Sequence, residues 1–407
     1  YDYKSNPENC TDHNFPRKHD VDYMVRIART LLIPIGVWPL YRGDSIVDNI
    51  KLFIHTGLIF CSMCFLMIPH IIYTFFDCTQ LTRYMKVIAT QIFSLLGIIK
   101  FVMMIIKKKQ VADCLLQIKM HYKNVECEED RSLMIKAAKI GRSFTILYLS
   151  IAYGGALPYH IILPLMADRI VKEDNTTQIP LPYLSDYVFF EVDSSPYYEM
   201  LFVIQIMIST IILSANFGIY SLIATCVMHA CCLFEVVSRQ METIFEYNVD
   251  EIQGRLSSII KHHVLAIRYS EAIERTLNIV FLSEIIGCTL NICFLEYGVL
   301  VEWEDNKKLS AMTYIVLMTS TFVNVFIISF IGERVKEQSN RVGNVTYCIE
   351  WYNVPRSIIK DLSMIILRTS RPSCLTAGKI FDLSLQGFCD VCKTSAAYLN
   401  FIRTMAA

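Results

Sequence analysis

Long unbroken apolar blocks, rather than amphipathic stripes, organise this chain. Seven of them reach the roughly 20 residues that an α-helix needs to cross a hydrocarbon core about 30 Å thick. They run from about Ile50 to Phe76, Tyr84 to Ile106, Ala137 to Met166, Tyr197 to Cys226, Leu277 to Val301, Met312 to Ile331 and Phe381 to Ile402. The third is interrupted by Gly154, Gly155 and Pro158. The fourth is expected to continue as a helix into the polar stretch from Glu235 to Phe245. Lys100 lies inside the second and Glu284 inside the fifth. The seventh is the least apolar and carries Asp382, Asp390 and Lys393. A charge near the bilayer centre costs about +2.5 to +3.5 kcal/mol on insertion scales. The pattern predicts an all-α integral membrane protein with seven transmembrane helices.

Charge sets the orientation. Residues 1–49, 107–139, 229–275 and 332–379 hold six, eight, five and eight Lys or Arg, 27 in all. The alternate connections and the C-terminal tail hold six. Positive charge marks the cytoplasmic side, so the N-terminus is expected inside and the C-terminus outside. Glycosylation sequons begin at Asn9, Asn175 and Asn344. Only Asn175 falls on the side that the charge rule places outside, so a glycan is expected there alone. No short apolar leader stands out between Tyr1 and Leu40, so the first span is expected to drive insertion.

Composition agrees with the pattern. The 407 residues are 54% hydrophobic and 19% charged, beyond the ordinary apolar share of a soluble domain. Net charge is zero, which gives no footing for nucleic acid. Seven of the fifteen Cys lie inside apolar blocks and read as small hydrophobes. Catalytic signatures are missing: there is no His-Glu-x-x-His, no phosphate-binding glycine loop and no Gly-x-Ser-x-Gly. The neighbours His262 and His263 cannot share a helix face. Cys389 and Cys392 form a lone Cys-x-x-Cys without further zinc ligands. The chain is not expected to be an enzyme, and no cofactor or metal is implied.

The polar seventh block then becomes informative. Ionisable groups at membrane depth must face protein or water. Asp390 and Lys393 are three apart and can pair on one helix face. Gln386, Ser384, Thr394, Ser395 and Asn400 add polarity elsewhere. The end turns apolar again, with Phe401 and Met405 four apart beside Thr404. Apolar side chains at the end of a polar lining can close a pore by dewetting. Packing against neighbouring helices is the plainer alternative.

The last third resembles the insect odorant receptors, in their ligand-tuning form. The resemblance is carried by Glu333 to Lys336 and by Tyr347-Cys348-Ile349-Glu350-Trp351-Tyr352-Asn353-Val354-Pro355. It continues through Ile365-Ile366-Leu367-Arg368-Thr369-Ser370-Arg371-Pro372 and Leu375-Thr376-Ala377-Gly378-Lys379. It ends in Phe381-Asp382-Leu383-Ser384-Leu385, Phe388, Val391, Lys393 and Ser395-Ala396-Ala397-Tyr398. It implies a subunit of an odorant-gated, non-selective cation channel, assembled as a heterotetramer with a shared co-receptor of the Orco type. Such channels lie in the plasma membrane of olfactory neuron dendrites and take volatile small molecules.

The same resemblance divides the chain into three. Residues 1–331 would hold the cytoplasmic N-terminal segment and an odorant-binding bundle of six spans. Residues 332–379 would form a cytoplasmic anchor for subunit contacts, giving Tyr347, Trp351 and Tyr352 a role. Residues 380–407 would line the pore, with Phe401, Thr404 and Met405 at the gate and Asp390 and Lys393 either on the path or paired at a subunit interface. Odorant candidates are chosen by helical spacing: Tyr148, Ala152 and Gly155 on the third span, Phe202, Ile206 and Ser209 on the fourth, and Tyr314 on the sixth. Two other classes compete. A G-protein-coupled receptor has seven helices but needs the opposite orientation. A transporter fits the broken third span but favours internal repeats, and none is legible here.

Overall fold

The computed structural model describes residues 17–41, 45–77, 81–125, 127–166, 170–171, 177–178, 181–187, 196–246 and 249–406. It is all-helical apart from two short hairpins. The first helices are α1 (Arg17–Leu32), α2 (Ile46–Ile72), α3 (Leu81–Ile106), α4 (Lys108–Asn124), α5 (Glu128–Leu157) and the short α6 (Leu163–Met166). Then come α7 (Tyr197–Glu242), α8 (Val249–Glu304), α9 (Lys308–Cys348), α10 (Arg356–Thr369) and α11 (Leu385–Ala406). One hairpin pairs β1 (Ile170–Val171) with β2 (Thr177–Gln178), and the other pairs β3 (Thr376–Ala377) with β4 (Phe381–Asp382), both antiparallel.

Among the described residues, six helices are long and apolar enough to cross a membrane, and they coincide with the first six apolar blocks. Three far exceed the need. α7, α8 and α9 have 46, 56 and 41 residues, which is about 69, 84 and 62 Å at 1.5 Å per residue. The charged stretches 229–275 and 332–379 are therefore largely not loops. They are mostly continuations of these helices, together with α10 and the second hairpin.

Helix α7 is the axis of the bundle. Every residue from Ala215 to Phe234 is buried, which is what a helix without a polar face requires. By contrast α2 turns apolar side chains outward, with Phe53 80% and Leu58 65% exposed, as suits a lipid-facing helix. Ser45 caps α2 by accepting from the Val47 amide at 3.3 Å. Helix α1 lays Val21, Met24, Val25, Ala28 and Leu32 into the core. That spacing is a single helical face. Its Asp20 accepts from Arg131 of α5 at 2.7 Å.

The third apolar block is broken where expected. Helix α5 ends at Leu157, and Pro158–Ile162 winds as a wider π turn before α6. Proline lacks the N–H that the regular ladder needs. The seventh block needs a correction: it does not begin as a helix at Phe381. Gly378 and Lys379 both take positive φ, 63° and 61°, and turn β3 into β4. Ala377 pairs with Phe381, and α11 starts only at Leu385. A Cβ on Gly378 would meet the Leu282 side chain at 2.7 Å, so glycine serves both the turn and its docking on α8. Glu274 of α8 accepts from the Thr376 amide at 2.8 Å and from its hydroxyl. Ser384 then caps α11 by accepting from the Gly387 amide at 3.1 Å.

Away from the cavity described below, α4 packs against α7 and α8. His121 Nδ1 lies 2.9 Å from His229 Nε2, so one ring donates and the other accepts. Burial pushes the His121 pKa down to about 4, and the nearby His262 adds to the fall.

Candidate functional site

Five helices converge on one cavity with about 770 Å³ of empty space, counting the part open at its rim. Each offers one face. Helix α3 brings Ala89, Phe93 and Leu96, and α5 brings Tyr148, Ala152 and Ala156. These follow the three-to-four-residue spacing of a single stripe. Helix α8 brings Glu284, Cys288, Asn291 and Leu295, and α9 brings Tyr314, Leu317, Ser320 and Asn324. Helix α7 adds Leu213, Asn216 and Phe217. The walls are mainly aromatic and aliphatic with a few convergent polar groups, the usual make-up of a small-molecule pocket.

One end is closed by the segment 181–187. Gln205 of α7 clamps it, accepting from the Tyr183 amide at 3.0 Å and donating to its carbonyl at 3.1 Å. The Leu184 carbonyl lies 2.6 Å from His70 Nδ1. Tyr183 then stacks on His160 with ring centres 5.0 Å apart.

The other end is a buried charge cluster. Lys100 Nζ lies 2.6 Å from Glu284 Oε2, with side chains only 4% and 3% exposed. Lys100 also donates to Asn216 Oδ1 at 3.0 Å. The Asn216 amide donates in turn to the Ile212 carbonyl at 3.2 Å. Asn324 Nδ2 donates to Glu284 Oε1, and the Cys288 thiol lies 3.6 Å from that oxygen. Four helices are thus joined through one ion pair. Both charges are legible inside apolar blocks of the sequence. The missing step was that lone opposite charges at membrane depth must find each other.

The odorant candidates divide. Tyr148, Ala152 and Tyr314 line the cavity. Gly155 does not: it faces α9, where a Cβ would stand 2.9 Å from Leu317 Cδ2. Phe202 and Ile206 are half-buried away from the cavity, and Ser209 is buried with its hydroxyl donated to the Ile206 carbonyl at 2.9 Å. The same stripe of α7, followed one to two turns further, reaches Leu213 and Asn216, which do line it.

On α11, Lys393 Nζ is 3.9 Å from Asp390 Oδ1, with side chains 75% and 50% exposed. Only one stripe of the helix is covered, by α8 and α9, and it centres on Val391 and Ser395. Gln386, Asp390, Lys393, Asn400 and Thr404 all lie on uncovered faces. Phe401 is 63% exposed. Met405 is on the last turn, with its side chain outside the described residues. Tyr347 and Tyr352 are about two-thirds exposed, and the Trp351 ring meets Tyr352 edge-on at 6.0 Å. Asn175 lies outside the described residues.

A bundle of membrane-length apolar helices around a largely apolar cavity defines the class of protein. The family model for the 7tm odorant receptors matches residues 80–396. The chain belongs to that family. It is 21% identical over 251 residues to Odorant receptor 82a of Drosophila melanogaster, covering 61% of this chain and 64% of that one. It is 23% identical over 190 residues to Odorant receptor 22c of Drosophila melanogaster, covering 44% of this chain and 46% of that one. The matched regions thus span less than two thirds of these relatives. The fold matches a solved structure of the insect olfactory receptor OR5 from Machilis hrabei in complex with eugenol. The TM-score is 0.78 at 15% identity, covering 96% of this chain and 100% of that one.

Proposed function

We propose that this chain is the odorant-tuning subunit of a ligand-gated, non-selective cation channel, acting in the plasma membrane of olfactory neurons with a shared co-receptor in a heterotetramer. The observation that carries the reading is the largely apolar cavity between α3, α5, α7, α8 and α9. A neighbour of the same fold holds eugenol, which supports a volatile ligand here. In this reading α11 is a seventh span, the N-terminus is cytoplasmic and the C-terminus is outside, as the charge count favours.

The unburied polar face of α11 suits a water-filled path shared by four subunits. Asp390 and Lys393 would lie on that path, with Phe401, Thr404 and Met405 forming the constriction. The exposed aromatics Tyr347, Trp351 and Tyr352 suit a subunit contact, since large aromatics are enriched in such interfaces. Residues 332–379 then act as the anchor and 380–407 as the pore segment. Asn175 would carry the external glycan.

The test is electrical. Co-expression with the co-receptor is expected to give odorant-evoked cation current in excised patches, and omission of the co-receptor is expected to abolish it. Ala152→Trp, which fills the cavity, is expected to raise the half-maximal odorant concentration at least tenfold at unchanged surface level. Responses that need G-protein signalling and never appear in excised patches would overturn the channel reading.

A further inference from the structure

The cavity contains an acceptor with nothing to accept. Asn324 is 2% exposed, and its Nδ2 is held by Glu284 Oε1 and by Cys288 Sγ at 3.5 Å. Electrostatics fixes this orientation, because an amide oxygen turned toward a carboxylate oxygen would be repelled. The Asn324 Oδ1 atom is therefore left over, buried and without a hydrogen-bond partner. Asn291 stands two turns from Glu284 on the same face of α8, is 4% exposed, and also has an unpartnered Oδ1. Both residues line the cavity. Buried polar groups are overwhelmingly paired, and each exception asks for an explanation.

We propose that the cavity selects neutral volatile molecules bearing a hydroxyl group, alcohols or phenols, and that Asn324 Oδ1 is the atom that accepts from them, with Asn291 as the second polar contact. The inference rests on the odorant-site reading above and names the ligand class of that site. A hydroxyl supplies the donor that the acceptor lacks. Hydrocarbons, ethers and ketones carry no such donor; they displace whatever solvates Oδ1 and leave it unpaired. A carboxylate would lie against Glu284. A protonated amine would add a net charge to an enclosure where Lys100 and Glu284 already neutralise each other. The remaining walls, Phe93, Leu213, Phe217 and Leu317, suit an apolar skeleton.

The experiment uses the full chain co-expressed with its co-receptor and matched volatiles. Each skeleton is supplied as hydroxyl compound, methyl ether and hydrocarbon: 4-ethylphenol, 4-ethylanisole and 4-ethyltoluene form one set, and 1-heptanol, heptyl methyl ether and heptane another. For every skeleton that activates, the hydroxyl member is expected to act at a half-maximal concentration at least tenfold lower, equivalent to about 1.4 kcal/mol. Asn324→Leu is expected to bring the hydroxyl compound to the level of its ether, and Asn291→Leu to narrow the gap. Ethers or hydrocarbons as potent as their hydroxyl partners in the wild-type channel overturn the inference, with no need for a variant that folds. So does a preference that survives both substitutions. Activation by non-hydroxyl volatiles at concentrations equal to or below those of their hydroxyl partners, abolished by Ala152→Trp, would sink the hydroxyl inference alone. Silence toward every volatile from a surface-delivered complex would sink the odorant-site reading with it.

Discussion

Two lysine–carboxylate pairs show how differently one chemistry can be used. Lys100 and Glu284 meet at 2.6 Å with almost no exposure, and each has further hydrogen-bond partners. Lys393 and Asp390 stand 3.9 Å apart, three residues apart on one helix, and are half exposed or more. The first pair joins α3 to α8 and is drawn into a network with α7 and α9. Its Coulomb attraction is strong because water is absent, and its desolvation penalty is large for the same reason. Among the described residues, the further side-chain hydrogen bond of the second pair stays on its own helix, from Gln386 to Asp390 at 3.3 Å. Pairs of that kind contribute about 0–1 kcal/mol. The difference teaches that the inner pair is a structural joint, while the outer pair is free to face water or a neighbouring subunit.

The sharpest way to break this contrast is Glu284→Ala, which strands a buried Lys100. Removing one partner of a buried pair destabilises by about 3–5 kcal/mol, so delivery to the cell surface, read by biotinylation, is expected to collapse. The double change Lys100→Met with Glu284→Leu is expected to restore much of it. Normal delivery of the single variant would show that the pair is no joint. Asn216→Leu removes only the second partner of Lys100. Hydrogen bonds to charged groups are worth about 1.5–3 kcal/mol, so the melting temperature of the purified complex should fall by less than with Glu284→Ala.

His121 offers a third environment, half-buried and outside the spans. Its folded pKa of about 4 lies below the ordinary histidine value of 6.5. As pH falls from 6.5 toward 4, the unfolded chain takes up a proton that the native one refuses, so stability falls across that window and is intact above it. The loss is about 1–2 kcal/mol after allowance for partial exposure. It is expected to shrink in His121→Gln when melting is followed against pH. The smallest effect belongs to Asp390→Asn and Lys393→Gln. Each should change stability by under about 1 kcal/mol, while single-channel conductance shifts. A melting change as large as that of Asn216→Leu would put the outer pair in the same class as the inner one.

The sequence made the apolar blocks legible because lipid tolerates no polar interruption, and six of them coincide with long helices. What periodicity could not supply was pairing between helices. It tells which face of α7 holds Phe202, Ile206 and Ser209, but not how far along that face the cavity lies. It marks Lys100 and Glu284 as costly, but not as partners. Helix α1 escaped notice because Val21, Met24, Val25, Ala28 and Leu32 sit in an otherwise polar stretch, where only the spacing betrays a buried face. The apolar pattern does not mark the start of α11, because Phe381 is apolar in either setting. The turn at Gly378 and Lys379, a backbone matter, decides for the strand.

The inner ion pair also sets a schedule for making the protein. Lys100 enters the bilayer with the second span, and Glu284 follows only with the fifth. About 180 residues separate them, roughly 10–40 s of synthesis at about 5–20 residues per second. Throughout that interval an unmatched ammonium needs shelter from lipid, from the insertion machinery or by reaching for the interface. The chain thus carries its largest unmatched charge during synthesis, before the fold that pairs it exists.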